Sequence, residues 1–217
     1  MQRAFINRAE AGRVLGGLLD AYAHRHDVVV LALPRGGVPV GFEVARRLGA
    51  SLDVLLVRKL GVPWQTELAM GAIASGGALY VDEDLIREIA LSPIEFDQVL
   101  AGERAELARR EQLYRAPQHA SAPVEGRIAI VVDDGMATGA SLKAALRALR
   151  TMAPARIVVA LPVAPPGACT RLGGDVDEFV CALTPNHFYA VGQFYADFSE
   201  TTDEDVRALL ARAALST

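Results

Sequence analysis

Five short runs of mostly aliphatic and β-branched residues constrain this chain more than any other feature: residues 28–33, 52–57, 127–132, 156–161 and 178–182. They show little alternation of apolar and polar side chains, so each reads as a strand covered on both faces. The segments between them carry apolar residues at three- and four-residue intervals, as amphipathic helices do. Strands alternating with helices point to an α/β fold: a mainly parallel five-stranded sheet with helices on both faces and right-handed crossovers. In such sheets ligands bind beyond the carboxyl ends of the strands. The turns that follow these runs are therefore where chemistry is expected.

The helices have legible starts. Asn7 and Glu10 have capping-box spacing ahead of Ala11, Val14, Leu15, Leu18, Leu19 and Tyr22, a helix expected to end near His26. A second helix covers 38–48, with Gly49 as its C-cap. Ser92-Pro93-Ile94-Glu95 opens a third that runs to about Tyr114. Leu142, Ala145, Leu146, Leu149 and Met152 mark a fourth, and Thr202 with Asp205 begins the last. Residues 61–77, with Pro63, Trp64, Glu67 and several glycines, read as a long loop, with a short hairpin near 72–81. Residues 119–126 read as a linker containing proline. No repeat or long low-complexity stretch divides the chain, so residues 1–217 are expected to form one domain. Its hood or flap would come from 61–114 and 185–198.

Composition excludes several classes. The formal net charge of −4 argues against a nucleic-acid binder, whose domain is usually basic. No apolar run reaches the roughly 18–20 residues of a membrane span, and residues 1–8 lack the apolar core of a secretory signal. A cytoplasmic location is the expectation. Cys169 and Cys181 lack metal-ligand spacing.

The densest chemistry lies in residues 131–141, VVDDGMATGAS. A strand ends, Asp133 and Asp134 follow, Gly135 lets the chain turn, and Ala137-Thr138-Gly139-Ala140-Ser141 enters a helix. Unpaired N–H groups and the positive end of the dipole make a helix start favourable for a phosphate. Gly139 permits close approach, and Thr138 and Ser141 add hydroxyls. An acidic pair beside an anion site suits a ligand with a phosphate at one end and a diol at the other. It also suits Mg²⁺ shared between carboxylates and a pyrophosphate.

This run resembles the signature of type I phosphoribosyltransferases. More narrowly, the chain is similar to a bacterial branch of that family with LPRGG, RKLG and VVDDG-ATG segments. The resemblance implies that Asp133 and Asp134 bind the ribose 2′- and 3′-hydroxyls of 5-phosphoribosyl-1-pyrophosphate and serve Mg²⁺. Asp134 would also stabilise charge near the anomeric carbon, and Gly135 with residues 137–141 would hold the 5-phosphate. The hypoxanthine-type relatives carry an aspartate at the position of Ala137, their general base, so that role is unfilled here. Leu33-Pro34-Arg35-Gly36-Gly37 follows the first strand; by resemblance it is the pyrophosphate loop, Arg35, Gly36 and Gly37 holding the anion and a cis peptide lying at Pro34–Arg35. Arg58-Lys59 ends the second run, and the resemblance gives Lys59 a pyrophosphate contact.

Residues 61–77 correspond by resemblance to a mobile loop that closes over the site. Glu67, the only carboxylate there, is a catalytic candidate. Near the C-terminus Pro185-Asn186-His187-Phe188, Val191-Gly192 and Asp197 are similar to a segment of the hypoxanthine type, in which the aromatic, here Phe188, stacks on the base. The implied function is transfer of phosphoribosyl to or from a nitrogenous base not identified by the sequence, by a homodimer as in many relatives. The alternative is a non-catalytic module that senses phosphoribosyl pyrophosphate with the same fold.

Overall fold

A computed structural model describes residues 4–114 and 122–215; residues 119–121 of the expected linker lie outside them. Its centre is a five-stranded sheet in the order β2-β1-β6-β7-β8, formed by β1 (Val28–Ala32), β2 (Ser51–Val54), β6 (Ile128–Val132), β7 (Arg156–Val163) and β8 (Glu178–Leu183). All four pairings are parallel. The expected sheet is thus present, and each apolar run contributes one of its strands in whole or in part.

The two faces bury separate clusters. On one, α1 (Arg8–Leu18) with its C-cap Leu19 and α2 (Gly37–Leu48) set Leu15, Leu19, Val40, Val44 and Leu48 against Val28, Val30, Ile130 and Val158. On the other, α5 (Ala140–Arg150) sets Leu142, Leu146 and Leu149 against Val29, Leu31, Val131 and Val159. Successive strand residues face opposite sides, which is why runs such as Val28-Val29-Val30 are apolar at every position. Fully burying one such side chain contributes roughly 1.5–3 kcal/mol.

The expected helix starts are confirmed in detail. Asn7 accepts from the Glu10 N–H at 3.0 Å. At α4 (Pro93–Tyr114) the Ser92 hydroxyl accepts from the Glu95 N–H, and the Glu95 carboxylate accepts from Ser92 N. Thr202 and Asp205 exchange the same pair of bonds at α7 (Asp203–Ala214). The first helix is shorter than expected: α1 stops at Leu18, and a single 3₁₀ turn, Asp20–Tyr22, completes the segment.

Two expectations are corrected. Residues 52–57 are not one strand, because β2 ends at Val54 and β3 (Val57–Val62) belongs to a second sheet. The bend is held by buried Ser75, whose hydroxyl accepts from Leu56 N at 3.2 Å and donates to Val54 O at 3.4 Å. Residues 61–77 are not a structureless loop. Most of them form β4 (Gln65–Ala74), which pairs antiparallel with β3 and with β5 (Ala78–Val81). Their glycines obscured the pattern: Gly61 and Gly71 sit where a Cβ would lie 2.6 Å from Thr66 O and 2.5 Å from Tyr80 O. The expected hairpin near 72–81 is the β4–β5 pair. Two short helices, α3 (Glu83–Glu88) and α6 (Ala168–Leu172), were not expected, although Asp82 caps α3 by accepting from Leu85 N at 3.1 Å ahead of two acidic residues. The ribbon packs on α4 through Leu60, Val62, Met70, Ile73, Leu100 and Leu107, and Val206 of α7 joins the same cluster from the side of α2, α4 and β2. A last cluster joins Phe5 and Ala11 to Val163, Phe194 and Tyr195. Among the described residues no helix is long and apolar enough to cross a membrane.

Candidate active site

The sheet order places a reversal between β1 and β6. From β1 the chain crosses through α2 to β2 on one side; from β6 it crosses through α5 to β7 on the other. The loops after β1 and β6 therefore part from each other and leave a crevice at the carboxyl edge, where open parallel sheets bind ligands. Residues 33–37 and 133–139 are those two loops.

They touch at atomic contact. A Cβ built on Gly36 would lie 2.1 Å from Asp134 Oδ2, and one on Gly37 would lie 2.8 Å from Val132 O and 2.9 Å from Asp133 Cα. Only glycine lets the first loop rest on the acid pair this closely. The Pro34–Arg35 peptide is cis, as the resemblance implied. Leu33 N donates to Val132 O at 2.8 Å, locking the first loop to the end of β6.

The acid pair is electrostatically expensive. Burial pushes the Asp133 carboxyl well above its ordinary range, the Asp134 charge adds to this, and the Asp134 N–H at 2.8 Å opposes it. Burial also raises Asp134, against the hydrogen bond and charge of Arg8. Two adjacent carboxylates held in this way favour a partner that brings hydroxyl donors or a cation.

Beyond the pair, Gly135 and Gly139 take φ values of +158° and +81°. At Gly135 a side chain would meet Val191 Cγ1 at 2.6 Å. The second loop then enters α5 through Gly139 as its N-cap. Among the described residues the amides of Thr138, Gly139 and Ser141 find no backbone acceptor. Ala137, Thr138 and Ala140 are exposed at the mouth. Donors, a positive helix end and small side chains are what an anion site requires.

Other expected residues sit elsewhere. The Arg35 guanidinium turns to Glu200 and, at 3.8 Å, to Asp203. Its fork thus faces Glu200 and the first residue of α7. Lys59 lies within β3, and its described partner is Glu67, 3.6 Å away. Glu67 is 92% exposed on the ribbon. Phe188 packs on Phe194, with ring centroids 5.4 Å apart, within the cluster around Phe5 and Val191. The structure brings Asp133, Asp134, Gly36, Gly37 and the 137–141 turn together; it does not bring Glu67 or Phe188 into contact with them.

Sequence reasoning missed Arg8. Its Nε donates to Asp134 Oδ2 at 2.8 Å across 126 residues of chain. No local pattern marks such a pairing, and Arg8 reads as an ordinary first-turn residue of α1. The Tyr195 hydroxyl, likewise not among the expected site residues, donates to the Asp134 carbonyl at 2.6 Å.

The family model described as "Phosphoribosyl transferase domain" matches residues 6–198. The chain belongs to the phosphoribosyl transferase domain family. The match spans both crevice loops and residues 185–198. "Putative phosphoribosyl transferase Rv0571c" of Mycobacterium tuberculosis is 46% identical over 97% of this chain. The chain spans about half the length of that relative, 47%. The crystal structure of TT1426 from Thermus thermophilus superposes with a TM-score of 0.87 at 44% identity, covering 97% of this chain and 99% of that one.

Proposed function

We propose that this domain binds 5-phosphoribosyl-1-pyrophosphate with Mg²⁺ and transfers the phosphoribosyl group to, or from, a ring nitrogen of a base in the cytoplasm. The observation that carries the reading is the contact of Gly36 and Gly37 with Asp133 and Asp134 at the β1/β6 reversal. One ligand with a pyrophosphate, a diol and a 5-phosphate can satisfy the first loop, the acid pair and the α5 cradle together.

In this reading Asp133 and Asp134 accept hydrogen bonds from the ribose hydroxyls. The turn from Gly135 through Ala137, Thr138, Gly139, Ala140 and Ser141 holds the 5-phosphate. Backbone N–H groups of Arg35 and Gly36 would face the pyrophosphate, while Gly37, whose N–H donates to Leu33 O at 3.0 Å, contributes the close approach of the loop. The acid pair suits Mg²⁺ by its chemistry: two hard oxygen donors, buried and in need of positive charge. Among the described residues no group of three or more acidic, histidine or cysteine side chains forms a metal cage. An ion that keeps waters and shares substrate oxygens fits this better than one fully ligated by protein. Bound there, Mg²⁺ would neutralise charge on the departing pyrophosphate.

The step breaks the bond between the anomeric carbon and pyrophosphate oxygen and forms one from that carbon to the base nitrogen. The nitrogen's proton must leave, and Ala137 offers no carboxylate to take it. The protein contributes mainly position and fixed charge. The two covering segments, 61–114 and 185–198, are proposed to exclude water from the crevice, with Glu67 and Lys59 closing on it by movement of the ribbon. Phe188 would face the base only after repacking. A homodimer is part of the proposal.

Pyrophosphate release is the test, measured over a panel of purines, pyrimidines and amines with Mg²⁺. Release that depends on one acceptor class supports transfer. Tight binding of phosphoribosyl pyrophosphate with no release from any acceptor would replace this reading by that of a sensing module, which the missing carboxylate at Ala137 favours.

A further inference from the structure

Asp134 is gripped by groups that lie outside the strand-end motifs. Arg8 occupies the first position of α1, where a positive charge opposes the helix dipole. Helix stability therefore does not account for an arginine there. Its side chain is largely buried, 12% exposed, and its contacts are specific. Nε donates to Asp134 Oδ2 at 2.8 Å, and Nη1 donates to Ser199 O at 2.7 Å. The guanidinium carbon sits 3.8 Å from the centre of the Phe198 ring. Phe198 stacks in turn on Tyr195, with centroids 5.0 Å apart. Tyr195 then returns to Asp134, its hydroxyl donating to the main-chain carbonyl at 2.6 Å.

These contacts close a ring: Arg8, Phe198, Tyr195, Asp134. The acid is held by its carboxylate from one member and by its backbone from another. The ring also reaches the pyrophosphate loop, because Arg8 Nε lies 3.3 Å from where a Cβ on Gly36 would be. It ties α1, the end of β6 and residues 195–199 into one unit.

We propose that Arg8 is a positioning residue for the ligand of this crevice, fixing the Asp134 carboxylate against the pyrophosphate loop and coupling the 195–199 segment to the acid pair. The inference rests on the crevice being the ribose-phosphate site. Without Arg8 the carboxylate is free to rotate away from Gly36, and Ser199 and Phe198 lose their tie to it. A lysine cannot replace it. Its single ammonium cannot reach Asp134 and the Ser199 carbonyl in the planar fork that a guanidinium provides, nor stack flat on Phe198. Tyr195 acts through the same unit from the other side.

The test is calorimetric titration of 5-phosphoribosyl-1-pyrophosphate with Mg²⁺ into wild-type protein, Arg8→Gln, Arg8→Lys, Tyr195→Phe and the Arg8→Gln/Tyr195→Phe double variant, with a melting temperature for each. Wild type is expected to bind. Arg8→Gln and Arg8→Lys should each weaken binding about tenfold or more, the scale of a lost hydrogen bond to a charged group. Tyr195→Phe removes one hydroxyl and leaves the ring packed, so it should fold and bind a few-fold more weakly. The double variant should lose less than the product of its singles, because one unit fails once. Unchanged affinity in the folded Arg8 variants, with only the melting temperature lowered, would overturn the proposal. So would full rescue by lysine, or tighter binding by Arg8→Gln, which would make Arg8 a competitor for the ligand's place. Absence of binding by wild type would instead remove the crevice reading itself, and the positioning role with it.

Discussion

A methyl group placed on Gly36 would lie 2.1 Å from Asp134 Oδ2 and 2.7 Å from its Cγ. The backbone there is ordinary right-handed, φ −59° and ψ −32°, so alanine adds no conformational strain and the clash is the whole effect. To reach ordinary contact of about 3.5 Å the carboxylate must retreat by more than about 1 Å. It can do so, because it is a side chain, but only by leaving Arg8. Overpacking of this kind costs about 1–3 kcal/mol, and a clash that a side chain can relieve belongs at the lower end. For a protein of this size each kcal/mol lowers the melting temperature by about 2–4 °C. Gly36→Ala should therefore melt only about 2–4 °C lower at the low-end cost of about 1 kcal/mol. A misplacement of about 1 Å can cost on the order of 10²-fold in function, and binding of phosphoribosyl pyrophosphate should fall at least about tenfold.

Gly37→Ala is the control. Its methyl would meet Val132 O at 2.8 Å and Asp133 Cα at 2.9 Å, both main chain at the end of a central strand. Neither can swing aside, so the cost should approach about 3 kcal/mol, or about 6–12 °C. Thermal melts and calorimetry on both variants read the contrast. In an Asp134→Ala background the stability penalty of Gly36→Ala should vanish. Simple additivity, unchanged binding by Gly36→Ala, or a larger melting loss at Gly36 than at Gly37 would refute the steric reasoning.

Three further outcomes follow from the same structure. Burial and the neighbouring charge raise the Asp133 carboxyl in the folded protein, so its ionisation opposes folding as pH rises through that raised value. Asp133→Asn should thus melt above wild type at pH 8 without ligand, and melts repeated at falling pH should show the gap closing as wild-type Asp133 takes up its proton. Glu67→Gln, at a side chain 92% exposed, should leave the melting temperature within about 1–2 °C of wild type, given the roughly ±0.5 kcal/mol of surface substitutions; turnover assays with the active acceptor would show whether the ribbon closes, since unchanged kcat excludes a role for Glu67. Thr202→Ala removes the cap of α7, and a chemical denaturation series should show a loss of about 1 kcal/mol; no loss would mean that the helix is held by Val206 and its neighbours alone.

Much of this structure was legible in the chain because its signals are local. Aliphatic runs gave all five parallel strands, and Asn7, Ser92 and Thr202 gave three helix starts, each through a side chain bonding three residues away. The two crevice loops were legible for the same reason: glycines and acids cluster within a few residues of a strand end. The β3–β4 ribbon was not, because Gly61 and Gly71 are set by the approach of another backbone, which interrupts the pattern of a strand. The break between β2 and β3 depends on Ser75, some 20 residues downstream, so residues 52–57 read as one run. Arg35 has the composition of an anion-binding fork, yet its partners Glu200 and Asp203 come from the far end of the chain. Arg8 and Tyr195 show the same limit. Their roles come from contacts with Asp134 across 126 and 61 residues, which no spacing rule records.

The central claim is that Asp133 and Asp134, pressed against the first loop, hold a ribose-pyrophosphate ligand together with Mg²⁺. Calorimetry of 5-phosphoribosyl-1-pyrophosphate against wild type and Asp133→Asn/Asp134→Asn, each with and without Mg²⁺, tests it most directly. The account predicts saturable binding by wild type that requires Mg²⁺, and its loss in a double variant that melts no lower than wild type. Equal affinity in the two proteins, or no binding by wild type with Mg²⁺ present, would contradict it.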